Sequence, residues 1–110
     1  MIQMNMLETL SNMIIEIEKV GNDLNKVKSD LRNKEFELKT LKLNIEFGDE
    51  FEEERDGLKV KEIPKLINDL TLKECQEIID LKEKRDELDL QLTLLKMRFQ
   101  VTQEVFEAQK

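Results

Sequence analysis

A heptad ladder of apolar residues runs along the N-terminal part of the chain. Alternating steps of four and three residues from Met6 meet an apolar side chain at eleven of twelve positions. The positions are Met6, Leu10, Met13, Ile17, Val20, Leu24, Val27, Leu31, Lys34, Leu38, Leu41 and Ile45. Mostly polar residues lie between them, and such a pattern over several heptads is typical of a coiled coil. It predicts helix 1 over about residues 3–47, with Gly48 in the left-handed capping position.

A second ladder occupies the C-terminal part of the chain. Its positions are Ile78, Leu81, Arg85, Leu88, Leu92, Leu95, Phe99, Thr102 and Phe106. The segment Thr71-Leu72-Lys73-Glu74 ahead of it fits a capping box, in which the Thr71 hydroxyl accepts a hydrogen bond from the Glu74 amide. These signals predict helix 2 over about residues 72–108.

The connector, about residues 48–71, is too long for a tight turn between helices. Pro64 suits the first turn of a short helix, and Ile63, Leu66, Ile67 and Leu70 would share one face of it. We therefore expect one all-α domain over residues 1–110. Its architecture would be a long antiparallel coiled-coil hairpin with a short connector helix, assembling into a helical-bundle oligomer.

The two ladders can be paired in an antiparallel register. Opposing Leu31 with Leu88 and Val20 with Phe99 places each a position against a d position, as this geometry requires. The same register sets Lys34 against Arg85, whose charges repel, and leaves the N-terminal turn of helix 1 overhanging the end of helix 2. A slip of one heptad would separate the two cations but mismatch the helix ends.

Two groups of apolar residues lie outside the ladders and predict an interface. The second stripe, on a face of helix 2 that flanks its ladder, consists of Leu90, Leu94, Met97, Val101 and Val105. The N-terminal apolar group contains Met4, Leu7 and Ile14, with Met1 and Ile2 nearby. A single hairpin cannot cover both, so we expect self-association, with a dimer favoured, or docking of a different protein. Fraying of the chain ends is the alternative. Gly21 would either permit close helix approach or simply loosen helix 1.

Charge is concentrated in an acidic connector. The chain carries 18 basic and 25 acidic residues, a formal net charge of −7, which disfavours direct binding of nucleic acid. Seven acids lie close together around one base, Arg55: Glu46, Asp49, Glu50, Glu52, Glu53, Glu54 and Asp56. They are either a solvated segment that keeps hairpin tips apart, or a surface that enters a basic groove as a nucleic-acid mimic would.

The chemistry of catalysis is missing from the sequence. The chain has no histidine, no glycine-rich phosphate loop and no EF-hand spacing, so we expect no enzyme activity, metal or cofactor. The single cysteine, Cys75, has no activating base, and we expect it to be structural. One cysteine, no signal-peptide pattern and no long apolar run favour a cytoplasmic protein without membrane contact.

Two resemblances suggest functions. Two long helices joined by a middle segment resemble the plan of a prefoldin subunit, which implies a holdase chaperone; prefoldins carry strands in the middle segment, where this chain has Leu58-Lys59-Val60. The segment LTLKECQEIIDLKEKRDELDLQL is similar in style to small acidic coiled-coil accessory proteins of phages and prophages of low-GC Gram-positive bacteria. That similarity implies an adaptor, or an anti-defence inhibitor such as an anti-CRISPR or nuclease inhibitor, bound to a host protein.

Overall fold

The computed structural model describes residues 2–109, with side chains from residue 5 onward. This part of the chain forms an all-α antiparallel helical hairpin and contains no strand. Its helices are α1 (Ile2–Phe47), α2 (Glu52–Arg55), α3 (Ile63–Leu70) and α4 (Leu72–Ala108), with short 3₁₀ turns at Asp49–Phe51 and Val60–Glu62. The predicted bounds of helices 1 and 2 agree with α1 and α4, and the connector helix that begins at Pro64 is α3.

The chain divides into two compact units, and both long helices contribute to each. The described part of the first unit comprises residues 2–28 and 84–109, and the second unit is Ser29–Glu83. In each unit, a segment of α1 packs against a segment of α4. The connector and α3 belong to the second unit.

The two ladders supply the buried residues of both units. Every ladder position from Met6 to Phe106 is buried or half-buried, whereas the residues between them are mostly exposed. The most deeply buried side chains at ladder positions are Val20, Leu24, Val27, Leu31, Ile45 and Ile78. The coiled-coil seam read from the sequence is therefore the hydrophobic core.

The register of the second unit differs from the predicted one. Lys34 Nζ lies 2.8 Å from Glu77 Oε2, which brings Lys34 level with Ile78 rather than with Arg85. In the predicted register, Glu77 would lie about eight residues, or roughly 12 Å, along the helix axis from Lys34. The predicted opposition of Lys34 and Arg85 is therefore wrong by one heptad. The shift gives Lys34 a carboxylate partner instead of a second cation.

The described start of α1 is covered by another segment. Leu10 is only 9% exposed and Met6 is half-buried, which requires α4 to run alongside the first turns of α1. Phe106, near the end of α4, is buried as well. The predicted overhang is therefore wrong for Met6 and Leu10, whereas the side chains of residues 1–4, to which it also applied, lie outside the described residues.

Two glycines shape the connector. Gly48 is extended, with φ −81° and ψ 154°, so the predicted left-handed cap is wrong. Its N–H donates to the Asn44 carbonyl at 2.7 Å, and a Cβ at Gly48 would lie 2.8 Å from that oxygen. Gly57 has the left-handed φ of +79°. It follows Asp56 (φ −59°, ψ 130°) in a type II turn that the Leu58 N–H to Arg55 carbonyl bond closes at 3.0 Å.

Thr71 joins α3 to α4 as a single residue between two helices. Its side chain is fully buried, and its hydroxyl donates to the Ile67 carbonyl at 2.7 Å. Its backbone, at φ −115° and ψ 13°, is not extended as an N-cap requires. The predicted capping box is therefore wrong, because the Thr71 hydroxyl satisfies the end of α3 rather than the start of α4.

Candidate protein-interaction surfaces

The second stripe is exposed along the C-terminal half of α4. The side chains of Leu90, Leu94, Met97, Val101 and Val105 are between 44% and 61% exposed. At 3.6 residues per turn, Leu90 and Met97 lie on the side of α4 that faces away from the ladder residues Leu92 and Leu95. The stripe thus occupies mainly the rear of the helix, and the predicted position on a flanking face applies only to Val105.

The spacing of the second stripe is itself that of a coiled coil. Leu90, Leu94, Met97 and Val101 follow one another in steps of four, three and four residues. This part of α4 therefore carries two apolar seams, of which α1 covers one. A helix with apolar residues on two sides is normally covered on both, which makes the rear seam a candidate contact surface.

The N-terminal apolar group lies on a different surface of the first unit. Leu7 and Ile14 are exposed, and the side chain of Met4 lies outside the described residues. Leu7 and Ile14 each follow a ladder residue, whereas Val105 precedes one. In an antiparallel pair, these offsets fall on opposite flanks of the seam. The single interface predicted from the sequence is therefore two patches, and Ile15, which is also exposed, extends the N-terminal one.

The acidic connector presents its carboxylates to solvent. All seven of its acidic residues are exposed, and within residues 2–109 none of them forms an ion pair. Arg55 does not neutralise them, because its Nη1 atom donates to the carbonyls of Ile45 at 2.6 Å and Asn44 at 3.2 Å. There it caps the C-terminal turn of α1, where a cation is favourable. The acids spread over the end of α1, a 3₁₀ turn, α2 and the residue after α2, so they form no regular row along one helix.

The titration of Lys34 and Glu77 reflects their pairing. The hydrogen bond and charge of Glu77 raise the pKa of Lys34 above 10.5, and Glu37, 3.5 Å away, adds to the effect. The hydrogen bond from Lys34 in turn lowers the pKa of Glu77 below 4.5. Both side chains are partly exposed, so salt screens the pair and its contribution to stability is small.

A groove that the sequence did not reveal lies between the end of α1 and α3. This tip groove has a volume of about 520 Å³ and is lined by Glu46, Phe47, Val60, Ile63, Pro64, Ile67 and Asn68. Phe47 and Val60 are 71% and 90% exposed. Neither residue is at a ladder position. That was the only feature of the sequence to indicate that their side chains would be exposed. Two further grooves contain lysines: one is lined by Lys39, Lys42 and Lys82, and the other by Lys61 and Lys65.

Cys75 is the single cysteine of the chain. Cys75 is half-buried, with its sulfur 3.8 Å from the Thr71 hydroxyl. No cluster of metal-ligating side chains occurs within the described part of the chain, and none of its helices is long and apolar enough to cross a membrane. Comparisons of the sequence with protein-family models and curated proteins, and with solved structures, found no match.

Proposed function

We propose that this chain is a non-catalytic helical interaction module that self-associates through the second stripe. Two copies would bury their stripes against each other, so that each α4 is covered by α1 on one side and by the partner's α4 on the other. The observation that carries the proposal is the second coiled-coil seam, which is apolar from Leu90 to Val101 at seam positions and about half exposed.

The size of the stripe supports a dimer of moderate affinity. Five half-exposed side chains leave roughly 400 Å² of apolar surface, within the about 300–600 Å² of the largest patch on a typical monomer, which is often functional. Self-pairing would remove roughly 800 Å² of apolar surface, worth about 20 kcal/mol before association costs of about 4–15 kcal/mol and side-chain ordering. After these costs about 5–16 kcal/mol remains before side-chain ordering, a range that contains the about 8 kcal/mol of a micromolar Kd.

A second copy is the partner that the shape of the stripe favours. The seam residues Leu94, Met97 and Val101 carry no charge, so two identical stripes meet without repulsion at their centres. A two-fold axis through the stripe closes the assembly at two chains, which is the commonest symmetry of soluble oligomers. The resulting contact is the ordinary knobs-into-holes packing of a coiled coil.

Light scattering after size exclusion, together with sedimentation equilibrium from micromolar to high micromolar concentration, tests the proposal. The wild type should change from its monomer mass of 13.1 kDa towards twice that value as concentration rises. A chain with both Leu94→Glu and Met97→Glu should remain monomeric, with unchanged helicity by circular dichroism, because both side chains are exposed in the monomer.

The matched control carries Phe36→Glu and Leu43→Glu, which place the same charges on exposed apolar positions of α1. This control should dimerise like the wild type. The proposal fails if the wild type stays at 13.1 kDa throughout. It also fails if the control dissociates as readily as the Leu94 and Met97 variant, because the dimer would then not depend on the second stripe.

A further inference from the structure

We propose that the tip groove binds a basic amphipathic segment of a partner protein, one that carries apolar side chains flanked by lysine or arginine. This site lies within the second unit and does not depend on self-association.

The floor of the tip groove is apolar and open. Ile63 and Ile67 of α3 form one side, and Phe47, from the last turn of α1, forms the other. Val60 projects beside them and is 90% exposed. A volume of about 520 Å³ accommodates one or two large apolar side chains of a partner. An exposed phenylalanine beside a groove is the kind of residue that anchors protein interfaces.

The charge beside the floor is negative. Among the described residues, Glu46 is the only charged one that lines the groove, and the acidic connector begins there. The C-terminal end of α1, with its partial negative charge, ends at Phe47. Arg55 is held by the Asn44 and Ile45 carbonyls, while Lys61 and Lys65 line a different groove. A basic segment would therefore be attracted by the exposed carboxylates and anchored by the apolar floor.

The same charges disfavour other occupants. Nucleic acid and acidic segments would be repelled by the carboxylates. A second copy docked tip to tip would bring two acidic connectors together, each with a charge near −6 from its seven acids and Arg55. An amphipathic helix with a basic polar face satisfies both the apolar and the acidic surfaces at once, in the manner of a helix bound in a groove.

Three labelled peptides test the proposal by fluorescence anisotropy with the full-length chain. The first has leucines at helical i, i+3, i+4 and i+7 spacing with lysines elsewhere. The second replaces the lysines with glutamates, and the third replaces the leucines with serines. The first peptide should bind with a Kd in roughly the micromolar range. The second should not bind, and the third should bind at least tenfold more weakly and lose binding at high salt.

Neutral variants then locate the site. Phe47→Ser with Val60→Ser should weaken binding of the lysine-leucine peptide at least tenfold. The matched control, Leu72→Ser with Ile79→Ser, removes two other exposed apolar side chains of the second unit and should leave it unchanged. Replacing Glu50, Glu52, Glu53 and Glu54 by glutamine should weaken binding and reduce its salt dependence. All measurements use the Leu94→Glu and Met97→Glu background, so that a failed dimer and a failed groove are distinguishable.

Two results would overturn the proposal. One is equal binding of the lysine-leucine peptide by the Phe47 and Val60 variant and by the Leu72 and Ile79 variant. The apolar floor of the tip groove would then contribute nothing to binding. The other is loss of binding in the glutamine variant together with full binding by the Phe47 and Val60 variant. That outcome would assign the activity to the acidic connector alone, as in mimicry of nucleic acid, and not to the groove.

Discussion

Ile45 is the ladder residue whose truncation gives the clearest test of stability. Its side chain is 0% exposed at the end of the first ladder. Ile45→Ala removes three carbon atoms, a transfer loss of about 2.4 kcal/mol at roughly 0.8 kcal/mol each. The cavity left behind adds to this loss, while the higher helix propensity of alanine offsets a few tenths of a kcal/mol. We expect the free energy of unfolding to fall by about 3 kcal/mol, a large part of the roughly 5–15 kcal/mol of a typical domain.

Urea unfolding followed by circular dichroism at 222 nm, at one low protein concentration, measures this loss. The control is Ile15→Ala, the same substitution in the same helix at a side chain that is 63% exposed. It should change the free energy of unfolding by no more than about 0.5 kcal/mol. Equal effects of the two substitutions, or a loss below about 1 kcal/mol at Ile45, would refute the assignment of Ile45 to the core.

Three further predictions follow from the register and the connector. Leu10→Ala should cost about 2–3 kcal/mol in urea unfolding, because α4 covers Leu10; a cost near zero would support the overhang instead. Pairing lowers the pKa of Glu77 and raises the pKa of Lys34, so the pair contributes to stability between roughly pH 5 and pH 10. This contribution is lost in acid as the pH falls through the lowered pKa of Glu77. It is lost in base as the pH rises through the raised pKa of Lys34. Stability curves of the wild type and Glu77→Gln should therefore converge in acid, and a constant difference down to pH 2 would contradict the pairing. Gly57→Ala should destabilise by about 1 kcal/mol or more, since its φ is +79°, whereas Gly21→Ala should stabilise by up to about 1 kcal/mol, because a Cβ there meets nothing within 4 Å. Thermal unfolding distinguishes the two signs, and stabilisation at both positions would contradict the type II turn.

The ladders could be predicted from the sequence because each depends only on the spacing of apolar residues within one helix. An apolar residue at every a and d position places one stripe on one side of a helix, whatever that helix packs against. The ladder positions and the long helices were therefore predicted correctly. The register was not, because any shift by whole heptads keeps apolar residues opposed. Only the position of Lys34 beside Glu77, rather than Arg85, selects among such shifts.

The candidate surfaces also have features that the sequence predicted and features that only the structure revealed. The second stripe was visible as surplus apolar residues, and its exposure in the structure agrees with the expectation that one hairpin leaves it uncovered. The sequence did not show that the second stripe and the N-terminal apolar group lie on different surfaces. The two sides of a coiled-coil seam can be told apart only once the two helices are paired. The tip groove was missed for a related reason: Phe47 lies more than ten residues before Val60 and Ile63 in the sequence and meets them only where α3 lies beside the end of α1.

Sequence alone thus determined the helical character, the extent of the long helices, the buried stripe and the location of the acidic residues, since these depend on residue types at fixed local spacing. Tertiary structure alone decided the register, the roles of Gly48, Gly57 and Thr71, the use of Arg55 as a cap, and the groove at the connector. The register, the groove and the cap by Arg55 depend on which atoms meet between segments ten or more residues apart. Gly48, Gly57 and Thr71 make local contacts, but their residue types left the backbone angles open. Heptad periodicity repeats every seven residues and cannot distinguish one such meeting from the next.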